Sequence, residues 1–225
     1  MQRIVAREIM DAPVDSLHEL EENLRDIAFS NAAFGGVAPV LRAIREARAV
    51  SVLDVGCGSA DIPLALVRDA ERSGRSLEVT CLDRSEQMLA IAARMTKSHP
   101  ALQFVHGDGE ALPYPDGAFD VVMCNLALHH FEPPAAERLL REVRRVAKVT
   151  PVVCDLRRSS LAYLAARVYT QILTRNRLTK HDGPLSVRRA YTPLEALALA
   201  RGAGWRAPSV RSSAFFRMTL TDAIV

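Results

Sequence analysis

The sequence predicts an α/β protein built on a doubly wound, mainly parallel sheet. Five short apolar runs, 50–55, 77–82, 102–105, 119–124 and 149–154, have the length and make-up of strands buried on both faces. Helical patterns separate most of them, and strand alternating with helix is the signature of parallel crossover units. A glycine-rich turn, Gly56-Cys-Gly58, follows the first run directly, where doubly wound sheets collect their ligands. With 225 residues, 49 % of them apolar and 24 % charged, the chain can bury a sizeable core as one domain, 1–225.

Taken in order, residues 1–48 read as an N-terminal helical cover. Ser16-Leu-His-Glu19 has the form of a capping box, and Leu17, Leu20, Leu24, Ile27 and Ala28 follow at helical spacing. Asn31 to Gly36 breaks that helix, and a second covers 39–48. The core, 49–155, then alternates. Ser85 caps a helix carrying Met88, Leu89, Ala92 and Met95, and Pro134 suits the first turn of one carrying Leu139, Leu140, Val143 and Val146. Residues 156–191 form a helical insertion after the fifth strand, with a helix over 159–176 and an irregular loop over 179–191 around His181-Asp-Gly-Pro184. In 192–225, Thr192-Pro-Leu-Glu195 opens a last helix to about Gly202, and 205–221 supplies an antiparallel edge hairpin.

Composition excludes several classes. The 29 basic residues exceed the 26 acidic ones by only three and form no arm or tail, so no nucleic-acid partner is expected. No apolar run approaches the ~20 residues of a membrane span, and the first residues carry acids where a signal peptide is apolar, so the expected location is cytoplasmic. Cys57, Cys81, Cys124 and Cys154 form no Cys-x-x-Cys pair and have no histidine at ligand spacing, so no metal site is expected. They read as small reduced hydrophobes of the core, with Cys57 set apart by its place in the glycine turn.

Glycines at 56 and 58 let a ligand lie against the backbone. A dinucleotide site expects Gly-x-Gly-x-x-Gly so that a pyrophosphate can rest on the helix N-terminus, but Asp61 holds the sixth position and repels it. Asp54 is a second acid at the same turn. Two carboxylates there suit a ligand carrying a sulfonium and an ammonium. Asp83, at the end of the second strand, either caps the next helix or accepts ribose hydroxyls.

These residues carry a resemblance. Val52-Leu-Asp-Val-Gly-Cys-Gly58 is similar to motif I of the class I S-adenosylmethionine-dependent methyltransferases, and the likeness runs from about residue 50 to about 155, with the C-terminal hairpin also matching. It implies a Rossmann-like seven-stranded sheet of order 3-2-1-4-5-7-6 with the last strand antiparallel. It also implies S-adenosylmethionine as cofactor, S-adenosylhomocysteine as product, and a cofactor site made by Asp54, Gly56, Cys57, Gly58, Asp83, Arg84, Met88, Asp108, Gly109 and Asn125. Within it Asp83 takes the ribose, Arg84 and Met88 neighbour the adenine, Asp108 accepts from the adenine amino group beside Gly109 and Glu110, and Asn125 faces the methionyl part. Leu112 to Asp120 continues the family's run before strand four. Two departures are Ala60, where the family has a third glycine, and the absence of the usual Pro-Gly-Gly turn in 145–151.

Asn125-Leu-Ala-Leu-His-His-Phe131 puts His129 and His130 just past strand four. An imidazole, with a pKa near 6.5, takes the proton of a phenol, pKa ~10, as the methyl arrives. His130 is the first choice as base and His129 the second; the alternative is that one or both only orient the loop by hydrogen bonding. Tyr163, Tyr169, His181, Asp182, Arg188, Arg189 and Tyr191 are further candidates to line an acceptor pocket. Signatures of nucleic-acid and protein-arginine methylation are absent from 124–132, which leaves a small-molecule acceptor. The expected activity is methylation of a hydroxyl on an aromatic or polyketide-like compound of secondary metabolism. The alternatives are carbon methylation of a quinol or polyketide ring, and a cofactor-binding protein without turnover. Apolar positions on the covering helices suit a homodimer face or a lipid-like substrate.

Overall fold

A computed structural model of the protein describes residues 1–222. Seven strands, β1 (Ser51–Val55), β2 (Glu78–Asp83), β3 (Leu102–His106), β4 (Phe119–Asn125), β5 (Ala147–Leu156), β6 (Pro208–Ser212) and β7 (Arg217–Asp222), form one sheet in the order β3-β2-β1-β4-β5-β7-β6. The pairs among β1 to β5 are parallel, and β7 runs antiparallel to both β5 and β6. The predicted strand order and the edge hairpin are therefore present; residues 223–225 of the segment assigned to that hairpin lie outside the described residues.

The central strands are apolar without alternation because both faces are covered. Leu53, Val55, Val122, Cys124 and Val153 pack on α5 (Pro133–Val146) and α8 (Pro193–Gly202), where Trp205 closes the core and its Nε1 donates to the Leu140 carbonyl at 2.9 Å. Val52, Val79, Cys81, Val121, Met123 and Val152 face α2 (Ala38–Ala47) and α3 (Asp61–Arg72). Leu139 sits fully buried in the first of these cores. Leu139→Ala is expected to lower unfolding stability by about 2–5 kcal/mol in a urea titration, through lost burial and the cavity left behind.

The missing Pro-Gly-Gly turn has a local answer. Helix α5 runs straight into β5, which is longer at both ends than its apolar run, and a register shift between Phe119 and Val121 in β4 absorbs the join. The strand order is unaffected.

Helices α1 (Leu17–Ala33), α4 (Glu86–Met95), α6 (Ser160–Leu173) and α7 (Arg177–Arg189) complete the fold. Val14, Leu20, Leu24, Met88, Ile91 and Leu178 make a third apolar cluster that ties the N-terminal segment, α1, α4 and α7 together. Ser16 caps α1 by accepting from the Glu19 N–H, but Glu19 turns its carboxylate to Arg177, so the capping box is only half formed. Thr192 and Glu195 form theirs completely.

Helix α7 corrects the irregular loop expected over 179–191. Gly183 and Pro184 argue against a helix locally, yet docking outweighs them. Asn176 caps it by accepting from the Thr179 N–H at 3.1 Å, and the buried Asp182 accepts from the Ile9 and Met10 N–H groups at 2.9 and 3.2 Å. A Cβ on Gly183 would lie 2.8 Å from Thr170 Cγ2, so the glycine lets α6 and α7 pack closely. Among the described residues no single helix is long and apolar enough to cross a membrane.

Candidate active site

A cleft of about 1290 Å³ opens over the carboxyl ends of β1, β2 and β4 and is covered by the N-terminal segment, α1, α6 and α7. Its floor is the glycine turn. The N–H groups of Gly56 and Cys57 both donate to the Leu82 carbonyl, at 2.8 and 3.1 Å, and Gly58 N–H donates to Asp83 Oδ2 at 3.1 Å. Gly56 has φ +75°, and a Cβ there would lie 3.0 Å from Ala127 Cβ, so the turn admits no side chain at that position. Ala60, in the place of the third glycine, adopts φ +54°; its methyl is fully buried, which offsets the strain.

Acids surround this turn. Asp54 is buried, and burial, together with the charges of Asp61 and Asp83, holds its carboxyl well above the usual range. Asp54 Oδ1 and both amide atoms of Asn125 are buried without a hydrogen-bond partner among the described residues. Buried polar groups are rarely left unpaired, and here three of them belong to two residues lining one cleft. Asp61 is already engaged, accepting from Asn31 Nδ2 and Ser59 Oγ at 3.0 and 2.9 Å. Leu126, just after Asn125, adopts φ +52°, a conformation an L-residue holds only under local constraint.

All ten residues expected around a cofactor line this cleft. Asp83 does two things at once: its Oδ1 accepts from the Ser85 N–H at 2.9 Å while Oδ2 holds Gly58, so the helix-entry and ligand-facing readings coexist. Burial raises its pKa against the backbone bonds to Ser85 and Gly58. Met88 is buried, whereas Arg84 is exposed and its carbonyl accepts from His106 Nε2 at 3.0 Å. Asp108 is exposed and accepts from the Glu110 N–H; a Cβ on Gly109 would strike Val55 and Leu139, at 2.8 and 2.9 Å. The Cys57 thiol, beside Cys81 and buried, is held far above its ordinary range and is therefore neutral. All four cysteines are buried and free.

The other half of the cleft is built on the histidine pair. His129 is 3 % exposed; its Nδ1 donates to Asp155 Oδ1 at 2.7 Å and its backbone N–H to Asp155 Oδ2 at 2.8 Å. Burial opposes ionisation of Asp155, but the His129 interactions prevail and hold its carboxyl below the usual range. His130 lies against it, ring centroids 4.3 Å apart, and donates from Nδ1 to Asp11 Oδ1 at 2.6 Å. Both rings thereby turn Nε2 toward Glu8, at 3.6 Å for His129 and 3.9 Å for His130. Arg189 closes the cluster at 2.6 Å from Asp11 and 3.2 Å from Glu8.

Residues 1–48 were expected as a cover, but Glu8 and Asp11, which this segment delivers, were not among the expected site residues. The segment is strapped down along its length. Arg3 donates to Glu132, to the Phe131 carbonyl at 2.9 Å and to the Arg189 carbonyl at 2.7 Å, and stacks on Tyr191; Gln87 bonds both backbone groups of Val14. A one-residue acid such as Glu8 carries no spacing signal that would have found it.

Burial raises the Glu8 pKa to about 7, against the opposing charges of His130 and Arg189. An acid whose pKa is raised binds more protons folded than unfolded, so stability falls as pH rises from about 4.5 through 7. Thermal unfolding is therefore expected to show a Tm that drops between pH 5 and pH 8. The drop is smaller in Glu8→Gln, which keeps the neutral form; an equal drop in both would remove Glu8 as its cause.

Of the other candidates, Tyr169 and Arg189 line the cleft. Arg189 is buried and its charge is already committed to Asp11 and Glu8. Arg188, Tyr163 and His181 lie outside the lining, Asp182 anchors Ile9 and Met10, and the Tyr191 hydroxyl donates to the Phe131 carbonyl at 2.7 Å.

Residues 52–150 match the family described as a methyltransferase domain. A demethylmenaquinone methyltransferase of Lysinibacillus sphaericus is 37 % identical over 107 residues, 48 % of this chain and 44 % of that protein. The chain thus matches about half the length of its curated relatives or less. Human N-acetylserotonin methyltransferase in complex with S-adenosylmethionine superposes with a TM-score of 0.71 at 15 % identity, over 98 % of this chain and 60 % of that one. A methyltransferase of Aquifex aeolicus gives 0.65 at 17 %, over 91 % and 98 %. At these identities the structural likeness is one of fold. Residues 52–150 thus match a methyltransferase domain, and the seven-stranded sheet has the strand order of the Rossmann-like methyltransferase fold.

Proposed function

We propose that the protein transfers the methyl group of S-adenosylmethionine to a small hydroxylated aromatic acceptor, at oxygen, with His130 removing the hydroxyl proton. The observation that carries this reading is one cleft holding both the unpaired buried atoms of Asp54 and Asn125 and, apart from them, an imidazole fixed by a carboxylate.

The cofactor fits the first group. An ammonium supplies donors for Asp54, and the amide of Asn125 offers both donor and acceptor to an amino acid moiety. Asp83, Asp108 and the turn at Gly56 and Gly58 complete the set expected to hold the nucleoside. Asp61, at the start of α3 in the sixth position of the turn, would repel the pyrophosphate of a dinucleotide. When bound, S-adenosylmethionine supplies an electrophilic methyl on a sulfonium.

The chain's own contribution is alignment and proton removal. Asp11 holds the Nδ1 proton of His130, which leaves Nε2 as the basic atom. Burial against, and contacts with His130, Glu8 and Arg189 for, its ionised form leave the Asp11 carboxyl held well below the usual range, so it stays an anion. His129 is fixed in the same way by Asp155, but its side chain is 3 % exposed against 26 % for His130, so it positions the loop and is not the base.

Carbon methylation of a quinol is the second reading, and the name of the L. sphaericus relative favours it. Both begin with the same deprotonation, since the charge of a phenolate is shared between its oxygen and ring carbons. Incubation with labelled S-adenosylmethionine and a panel of phenols, resorcinols and quinols, followed by fragmentation mass spectrometry, decides between them. Label lost with a methoxy fragment supports oxygen; label retained on the ring replaces that assignment with carbon. Uptake by amines alone would contradict both.

A further inference from the structure

Helix α6 has two faces of different character. Ala166, Tyr169 and Thr170 line the cleft. On the outside Leu161, Leu164, Val168 and Ile172 recur at helical spacing and are 63, 55, 49 and 73 % exposed, with Leu173 beyond them at 63 %. An exposed apolar stripe of this length marks a contact surface. Tyr169 joins it to the cleft: its ring meets Phe34 edge-on at 5.3 Å, and Phe34 touches the exposed Phe215 at 5.6 Å.

Along the chain that carries this stripe the charge has one sign, although Asp26 of α1 meets Thr174 at its end. From residue 156 to 181 the chain carries Arg157, Arg158, Arg167, Arg175, Arg177 and Lys180 and no Asp or Glu. Arg158 is paired with Glu195 and Arg177 with Glu19, but Arg167 and Arg175 are exposed at the stripe's flank and end. A symmetric pairing of two copies through α6 would bring these arginines together with no acid from either segment to meet them. An apolar helix face flanked by bases instead matches a surface of acyl chains beneath anionic headgroups.

We infer that the outward face of α6 docks on an anionic lipid bilayer, which sets the cleft lined by its inward face against the membrane. The membrane contact stands on the helix alone; that an acceptor dissolved in the bilayer enters the cleft from it rests on the proposed methyl transfer.

Vesicle flotation tests the contact without any methyl donor. Full-length protein is mixed with phosphatidylcholine vesicles with or without phosphatidylglycerol, at low and high salt. The wild type is expected to float with the anionic vesicles and to be released by salt. Arg167→Glu and Arg175→Glu each weaken partitioning by roughly fivefold or more, and Leu164→Asp with Ile172→Asp abolishes it. The affinity for S-adenosylhomocysteine, measured on the same samples, is expected to stay unchanged and reports that the variants are folded. Wild type left in the supernatant overturns the inference, as does binding that ignores both lipid charge and the Leu164/Ile172 pair. A wild-type dimer split by Leu164→Asp and Ile172→Asp, with no flotation, assigns the face to a second copy instead. Methyl transfer to a water-soluble phenol without vesicles is scored separately, so failure of the activity and failure of the docking are distinguishable.

Discussion

Replacing His130 by Ala is expected to lower kcat by roughly a hundredfold to ten-thousandfold, the range of a positioned general base, with little change in the affinity for S-adenosylhomocysteine. The separation follows from the layout: His130 and its Asp11 partner belong to the loop after β4 and to the strap, whereas the residues expected to hold the cofactor stand on β1, β2, α4 and the end of β4 and in the turns after β1, β2 and β3. Asp11→Asn provides the sharper version. It keeps the volume but offers an amide to Nδ1, so the tautomer with Nε2 basic is no longer enforced. Its loss should appear in kcat rather than KM, and above all for acceptors with the least acidic hydroxyls. A His130→Ala variant with wild-type kcat would remove the base from this site.

Asp83→Ala should weaken S-adenosylhomocysteine binding by about 1.5–3 kcal/mol, or ~10- to 150-fold, if its carboxylate accepts charge-assisted bonds from the ribose. The structure adds a second route to that loss, because Asp83 also holds Gly58 N–H and Ser85 N–H. Asp83→Asn separates the routes: one amide oxygen can keep a backbone partner while the charge is gone. Calorimetric titration of the three proteins checks this. An Ala variant that binds as well as wild type would exclude Asp83 from both roles.

The legible part of the fold was the part in which local pattern and burial agree. Strands covered on both faces must be apolar throughout, so β1 to β5 stand out as runs, and the glycine turn is visible because Gly56 has neither the φ nor the space for another residue. Helix α7 was not legible, since Gly183 and Pro184 speak for a loop and only Asp182, gripping the strap, and the close pass at Thr170 reverse them. The site divides in the same way. Asp54 lies in β1, Asp83 ends β2 and the histidines follow β4, so their sequence position gives their spatial position. Glu8 and Asp11 reach His130 from the far end of the chain, and Asp155 meets His129 across two neighbouring strands of the sheet; pairings of that kind leave no periodic trace.

In the proposed function the acid-lined turn between β1 and α3 receives a nucleoside bearing an amino acid. Calorimetric titration of the wild type with S-adenosylhomocysteine, and separately with a nicotinamide dinucleotide, tests it most directly. One molecule of S-adenosylhomocysteine bound per chain and no heat from the dinucleotide are expected. Dinucleotide binding with S-adenosylhomocysteine excluded would contradict it.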